Sequence, residues 1–233
     1  MIKAILFDKD GTLFDFRDTW EVWAQSFLTR ISGADADRAA ALGDAVGFDT
    51  ATGTFSSDSI VIAGTPGEVA DALLPHLPDM SRTALLDLLN EEAAKAPQSE
   101  VTPLIPLLTD LRDRGLRLGV ATNDAQAPAR AHLETSGITH LFDFIAGFDS
   151  GFGGKPAPGQ LLAFADQINL PPDQIAMIGD STHDLIAAKA AGMLRVAVLT
   201  GLASEGTLAP HADLILPDIS HLPGWLDRGT GGV

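Results

Sequence analysis

The sequence predicts an α/β fold in which helices cover a parallel sheet and a helical segment is inserted after the first strand. Three observations carry this. Short apolar runs with β-branched residues recur at 2–7, 116–121, 142–146, 174–178, 194–199 and 213–216, and helical patterns separate them, the alternation that builds βαβ units. Between residue 12 and roughly 97 no clear strand is visible and at least three helical patterns take over. The 233 residues exceed a usual domain of ~150 by about half, the size of one α/β unit carrying an insert.

The elements follow in order. Behind the first run, Asp18 and Glu21 have the spacing of a capping box, Trp20, Trp23, Phe27 and Ile31 share one helical face, and Gly33 ends that helix. Thr65-Pro66-Gly67-Glu68 repeats the box ahead of 69–77, and Ser81 opens a Leu-rich helix that stops before Pro97. Thr102, with Pro103 at the first helical position and Gly115 past the end, frames a helix that feeds the strand at 116. Ser181 or Thr182 caps a helix running through 185–191 and closed by Gly192. The expected division is 1–14 with 98–233 as the α/β core and 15–97 as the helical insert. The polar stretch 228–233 reads as a frayed tail.

Composition then removes whole classes of function. Fifteen Lys and Arg against 31 Asp and Glu leave a formal charge of −16, which repels the phosphate backbone that dominates nucleic-acid affinity. No apolar run approaches the ~20 residues of a membrane span. The absence of cysteine excludes disulfides, thiolate metal sites and a cysteine nucleophile. The N-terminal segment has no small-residue cleavage site, so a cytoplasmic protein is expected.

Four polar constellations lie at or just beyond the carboxyl ends of predicted strands, where open α/β sheets place their ligand crevice. Asp8-Lys9-Asp10-Gly11-Thr12 offers two carboxylates at i and i+2, which leave an extended segment on the same side, so one can attack while the other handles a proton. A polar glycine turn would read the same way. Thr122-Asn123 suits a phosphate oxygen through its hydroxyl and backbone N–H groups, although it is equally an ordinary helix cap. Gly153-Gly154-Lys155-Pro156 places one point charge in a glycine-rich loop, able to neutralise a phosphoryl group if it is not simply solvated. In Gly179-Asp180-Ser181-Thr182-His183-Asp184, Asp180 can ligate Mg²⁺ directly, and Asp184, one helical turn on, can order water or Lys155.

In this order and spacing the four motifs resemble the haloacid dehalogenase superfamily, in particular its phosphoglycolate-phosphatase-like branch. From Asn123 to Lys155 is 32 residues and from Lys155 to Asp180 is 25, each about one helix and one strand. The resemblance implies a Rossmannoid core of that family's type with an all-helical cap at 15–97. It implies Asp8 as the nucleophile that forms an aspartyl-phosphate. Asp10 would protonate the leaving alcohol, then activate water, with its backbone carbonyl on Mg²⁺. Thr122 and the Asn123 backbone would hold phosphoryl oxygens, and Lys155 would bind both phosphate and Asp8. Asp180 would ligate the metal with Asp8, supported by Asp184. Dehalogenases of the superfamily lack the second carboxylate, so Asp10 points to a phosphatase. Lys9 is the unusual letter; in an extended strand it points away from both aspartates and is expected to be structural or surface-facing.

The expected function is thus Mg²⁺-dependent hydrolysis of a small phosphorylated metabolite, with 2-phosphoglycolate leading, by a monomer or homodimer with no nucleic-acid or membrane partner. A sugar-phosphate mutase shares the four motifs, but Thr12 and an insert poor in basic residues lean against it. An idle scaffold or sensor would have lost one of these residues, and none is lost. Arg17 is the nearest basic candidate for a second anionic group of the substrate. His183 is expected at the surface, Trp20 and Trp23 in the core of the insert, and the stretches 54–59 and 60–64 are suspected of selecting substrate.

Overall fold

The computed structural model describes residues 1–56 and 58–228. The expected tail beyond residue 228 lies outside the described residues. Six strands form one sheet: β1 (Ala4–Phe7) and, skipping two short strands of the insert, β4 (Arg117–Ala121), β5 (Phe144–Ala146), β6 (Ile175–Gly179), β7 (Leu194–Val198) and β8 (Leu214–Leu216). Their order is β5-β4-β1-β6-β7-β8 and every pairing is parallel. The chain runs outward from β1 in both directions, so the order reverses beside β1, the position at which such sheets open a crevice.

Helices cover both faces, which is why the strands read as continuous apolar runs. Side chains alternate along β1: Ile5 and Phe7 pack on one face with Leu104, Leu108 and Leu111 of α5 (Leu104–Asp113), while Ala4 and Leu6 pack on the other with Phe164 of α7 (Gly159–Ile168) and Ala187 of α8 (Thr182–Ala191). Between α5 and α7 lies α6 (Gln126–Thr135); α9 (Glu205–Leu208) and α10 (Leu222–Asp227) complete the core. Gly119 has no room for a Cβ, because Phe164 and Leu6 press against it from the second face.

The insert contains α1 (Phe16–Ser32), α2 (Ala36–Val46), α3 (Pro66–Leu73) and α4 (Arg82–Ala93), with their own apolar cluster built on Trp23, Phe27, Leu42, Leu73, Leu85 and Leu89. Leu85 is wholly buried there, and its truncation to Ala would cost ~2–5 kcal/mol. Beside the expected helices the insert holds an antiparallel ribbon, β2 (Phe48–Asp49) and β3 (Thr54–Phe55), whose Phe48 and Phe55 rings meet edge to face at 4.8 Å. The chain enters and leaves the insert through adjacent segments, tied by Asp15 N–H to Ser99 O (2.8 Å) and Val101 N–H to Leu13 O (3.1 Å).

Several caps differ from the sequence reading. Helix α1 begins before Asp18, because Asp15 is its N-cap and accepts the N–H groups of Arg17 and Asp18. Helix α5 begins one residue after Pro103, and the carboxylate of Glu100, not Thr102, accepts the Leu104 N–H at 3.0 Å. Thr65 with Glu68, Ser81, and Ser181 with Asp184 cap their helices at the expected places. No helix among the described residues is long and apolar enough to cross a membrane.

Candidate active site

The carboxyl ends of β1, β4 and β6 meet at the reversal point and bring three of the four constellations together, with the fourth supplied by the loop before α7. Asp8 continues the register of β1, its N–H donating to Ile178 O at 2.8 Å. The chain then turns back: Lys9 O accepts the N–H groups of Leu13 (2.9 Å) and Phe14 (3.1 Å), and Gly11 takes φ +75°, which favours glycine. A Cβ on Gly11 would also overlap the Asp180 carboxylate. The turn is pinned from β7's end by Thr200 Oγ1, which donates to Gly11 O at 2.6 Å.

Lys155 stands at the centre. Its Nζ donates to Asp8 Oδ1 at 2.7 Å and to Asp184 Oδ1 at 2.6 Å. Asn123 fixes the lysine's backbone: Oδ1 accepts Lys155 N–H and Nδ2 donates to Lys155 O, each at 2.8 Å, and Nδ2 also donates to Ala63 O of the insert at 2.8 Å. The second oxygen of Asp184 accepts from Ser181 N–H (3.1 Å) and Oγ (2.7 Å), so one carboxylate caps α8 and holds the lysine. Thr122 Oγ1 accepts the Asp124 N–H at 3.0 Å, leaving its own proton to donate.

Oxygens of Asp8, Asp180 and Asp184 lie within 4.8 Å of one another. Burial, with the charges of Asp184 and Asp10 adding to it against the opposing pull of Lys155, pushes the Asp8 carboxyl up to about 7. Burial and the charges of Asp8 and Asp184 likewise raise Asp180 well above the usual carboxylate range. Burial works against the Lys155 charge, but the two carboxylates beside it prevail and raise its pKa. Three carboxylates facing one ammonium leave an excess of negative charge and an all-oxygen donor set, which fits a hard divalent cation such as Mg²⁺. The carboxylate of Asp10 lies outside this trio and turns to Lys9.

Lys9 departs from the sequence expectation. It is fully buried, not surface-facing, and it does not point away from Asp10: Nζ donates to Asp10 Oδ1 at 2.8 Å and to His132 Nδ1 at 2.9 Å, with Asp124 Oδ2 at 3.5 Å. The Trp20 ring lies 5.5 Å from the ammonium, a cation–π contact. The alternation of an extended strand does not apply, because the turn after Asp8 folds the segment over. His132 Nε2 lies 2.7 Å from Ala93 O, so Nε2 carries the proton and Nδ1 accepts from Lys9. Burial, then the neighbouring ammonium, lowers the His132 pKa to about 4, which keeps the ring neutral.

Above these groups opens a cleft between insert and core, floored by Asp8, Asp10 and Lys155. Its far wall is apolar, with Phe16, Trp20, Trp23, Val69 and Leu89 from the insert. The two tryptophans thus serve the insert's core and the cleft at once. Of the stretches suspected of selecting substrate, Val61 to Gly64 reach the cleft, whereas the described residues of 54–59 do not line it. His183 is half-buried on the cleft wall rather than at the open surface. Arg17 is exposed on the first turn of α1 and does not line the cleft. Sequence reasoning misplaced Lys9 and passed over His132, Asp124 and Gly201, although Thr200-Gly201 follows a predicted strand.

A family model described as haloacid dehalogenase-like hydrolase matches residues 2–192. A phosphoglycolate phosphatase of Rhodospirillum rubrum is 31% identical over 97% of this chain and 91% of its own length. Among solved structures, CbbY from Rhodobacter sphaeroides in complex with phosphate superposes with a TM-score of 0.72 at 22% identity, covering 95% of this chain and 96% of that one. A β-phosphoglucomutase from Clostridium difficile gives 0.68 at 18% identity, covering 98% and 96%. At these identities the two structures speak for the fold alone.

Proposed function

The chain belongs to the haloacid dehalogenase-like hydrolases, and from that premise we propose that it hydrolyses a small phosphomonoester through an aspartyl-phosphate on Asp8. The observation that carries this is the Lys155 ammonium bonded to both Asp8 and Asp184 at the floor of the cleft, beside a second carboxylate pair member, Asp10, two residues along the same turn. In this reading an oxygen of Asp8 attacks phosphorus, the bond from phosphorus to the ester oxygen breaks, and Asp10 gives the departing alkoxide its proton. Asp10, now a base, takes a proton from water; that water attacks phosphorus, the bond to Asp8 breaks, and phosphate leaves with Asp8 restored.

Lys155 holds a phosphoryl oxygen and offsets its charge, and Thr122 Oγ1 has a proton free to donate. The Asn123 side chain is committed to Lys155 and Ala63, so its backbone N–H is what remains for a phosphoryl oxygen. Asp8, Asp180 and Asp184, with the Asp10 carbonyl, would hold Mg²⁺. Bound there, the ion would supply positive charge to the transferring phosphoryl group. Residues 15–97 act as a cap over the cleft. Asp8→Asn should abolish Mg²⁺-dependent release of phosphate from p-nitrophenyl phosphate; retained turnover would show the mechanism to be wrong.

2-Phosphoglycolate is the leading substrate, since the Rhodospirillum rubrum relative carries that activity in its name. The cleft favours a second reading, an ester whose alcohol bears no further charge. Apart from Lys155, no Lys or Arg lines it among the described residues, and a buried substrate carboxylate without a partner is costly. Comparing kcat/KM for 2-phosphoglycolate with that for neutral alkyl phosphates decides between them. Incubation with a hexose 1-phosphate, watched for isomer against free phosphate, separates hydrolase from mutase.

A further inference from the structure

We propose that Lys9 is a positioning residue that sets the Asp10 carboxylate for proton transfer, and that it does so only while the insert is closed against the core. The proposal rests on the phosphatase reading above, in which Asp10 handles the proton.

Among the described residues, Lys9 is the one side chain that bonds the Asp10 carboxylate, at 2.8 Å. A flexible four-carbon stem would ordinarily be a poor clamp, since holding it costs rotamer entropy. Here the ammonium is caught on every side. His132 Nδ1 accepts one of its protons at 2.9 Å, Asp124 lies at 3.5 Å, and the Trp20 ring closes over it at 5.5 Å. The side chain is wholly buried, so no water competes for these places.

Two of the four neighbours depend on the insert. Trp20 belongs to α1. His132 belongs to α6 of the core, but its Nε2–H donates at 2.7 Å to Ala93 O, on the last turn of α4. That bond also selects the tautomer, because a ring that gives its Nε2 proton to a carbonyl presents a bare Nδ1 to Lys9. A continuous chain therefore runs from the Ala93 carbonyl through His132 and Lys9 to the Asp10 carboxylate. If the insert moves away, the Ala93 bond and the Trp20 contact go together, Lys9 meets water, and Asp10 loses its fixed partner. Proton transfer is then confined to the closed state.

The test exploits the leaving group. p-Nitrophenolate departs without needing a proton, whereas an alkoxide needs one from Asp10. Because kcat/KM reports steps only up to formation of the aspartyl-phosphate, it isolates the acid role. For Lys9→Met we expect kcat/KM on an alkyl phosphate to fall about 10- to 100-fold further than on p-nitrophenyl phosphate, within the range general acid catalysis contributes. Lys9→Arg should recover part of the difference, and His132→Leu should reproduce a smaller share of it.

Equal losses on both esters, or none, overturn the proposal while leaving the phosphatase reading intact; turnover by Asp8→Asn would overturn that reading instead. Should Lys9→Met fail to fold, as judged by its melting transition, Lys9→Arg and His132→Leu decide by the same ratio.

Discussion

A methyl group on Gly201 would overlap the carboxylate of Asp180, so the glycine is what gives that side chain its place. No left-handed backbone is involved, and the clash reaches Cβ and Cγ as well as Oδ2. A short aspartate cannot turn its tip aside to escape it. Gly201→Ala should therefore displace Asp180 from the trio it forms with Asp8 and Asp184. We expect the Mg²⁺ concentration for half-maximal activity to rise about tenfold or more, in keeping with the sensitivity of metal affinity to groups behind the ligands. An unchanged metal dependence would mean that Asp180 is not a ligand.

The raised carboxyls make a prediction about pH. Asp8 titrates at 3.8 by its ordinary value and at about 7 when folded, and Asp180 is displaced in the same direction. Between the two values the native state holds a proton that the unfolded chain has released, so metal-free stability falls as pH rises through that window. His132, lowered from 6.5 to about 4, contributes the opposite slope below 6.5. The fall is therefore clearest from about pH 6.5 to about pH 8. Mg²⁺ favours the ionised carboxylates, so the rise in Tm on adding it should grow across the same interval. A metal-free Tm that holds level there, with a Mg²⁺ shift independent of pH, would contradict the electrostatic account of the site.

The strands of the sheet were legible because both faces are covered and their apolar runs are bounded by turns. The same holds for Gly33, Gly115 and Gly192, whose positive φ closes or follows a helix as the sequence suggests. The ribbon of Phe48 and Phe55 was not legible, since two residues per strand carry no period and the ring contact is tertiary. Helix starts were misplaced where two acids compete: Asp15 and Asp18 both suit an N-cap, and only the fold chooses. Lys9 was read by the alternation of a strand that ends two residues earlier, and its partners His132 and Asp124 stand more than a hundred residues away in the chain. Three of the constellations were visible because each sits at a strand's carboxyl end, and the Lys155 loop because its glycines frame a lone charge; Gly201 follows the end of β7 without a polar side chain to draw notice.

Arg17 gives a simple check. It is exposed, and the cleft is lined without it. Arg17→Ala should leave kcat/KM for 2-phosphoglycolate and for p-nitrophenyl phosphate within about twofold of the parent, since exposed substitutions away from a site have small effects. A selective loss on 2-phosphoglycolate would place the arginine on the substrate's carboxylate.

Asn123 tests whether its amide binds substrate or builds the site. Its three bonds, to Lys155 N–H, Lys155 O and Ala63 O, use the side chain's donor and acceptor groups on the protein itself. Asn123→Ala leaves those backbone groups unpaired in a buried place, at ~1–3 kcal/mol for each that water does not reach. Chemical denaturation should therefore register the loss, and kcat should fall about tenfold or more as the Lys155 loop loosens. Asn123→Asp sharpens the test. It keeps the shape and the acceptor for Lys155 N–H but turns an oxygen toward two carbonyls that need a donor, so stability and kcat should recover little relative to Ala. If Asn123 served mainly to contact substrate, the Ala variant would instead keep its stability and lose affinity, with the change falling on KM.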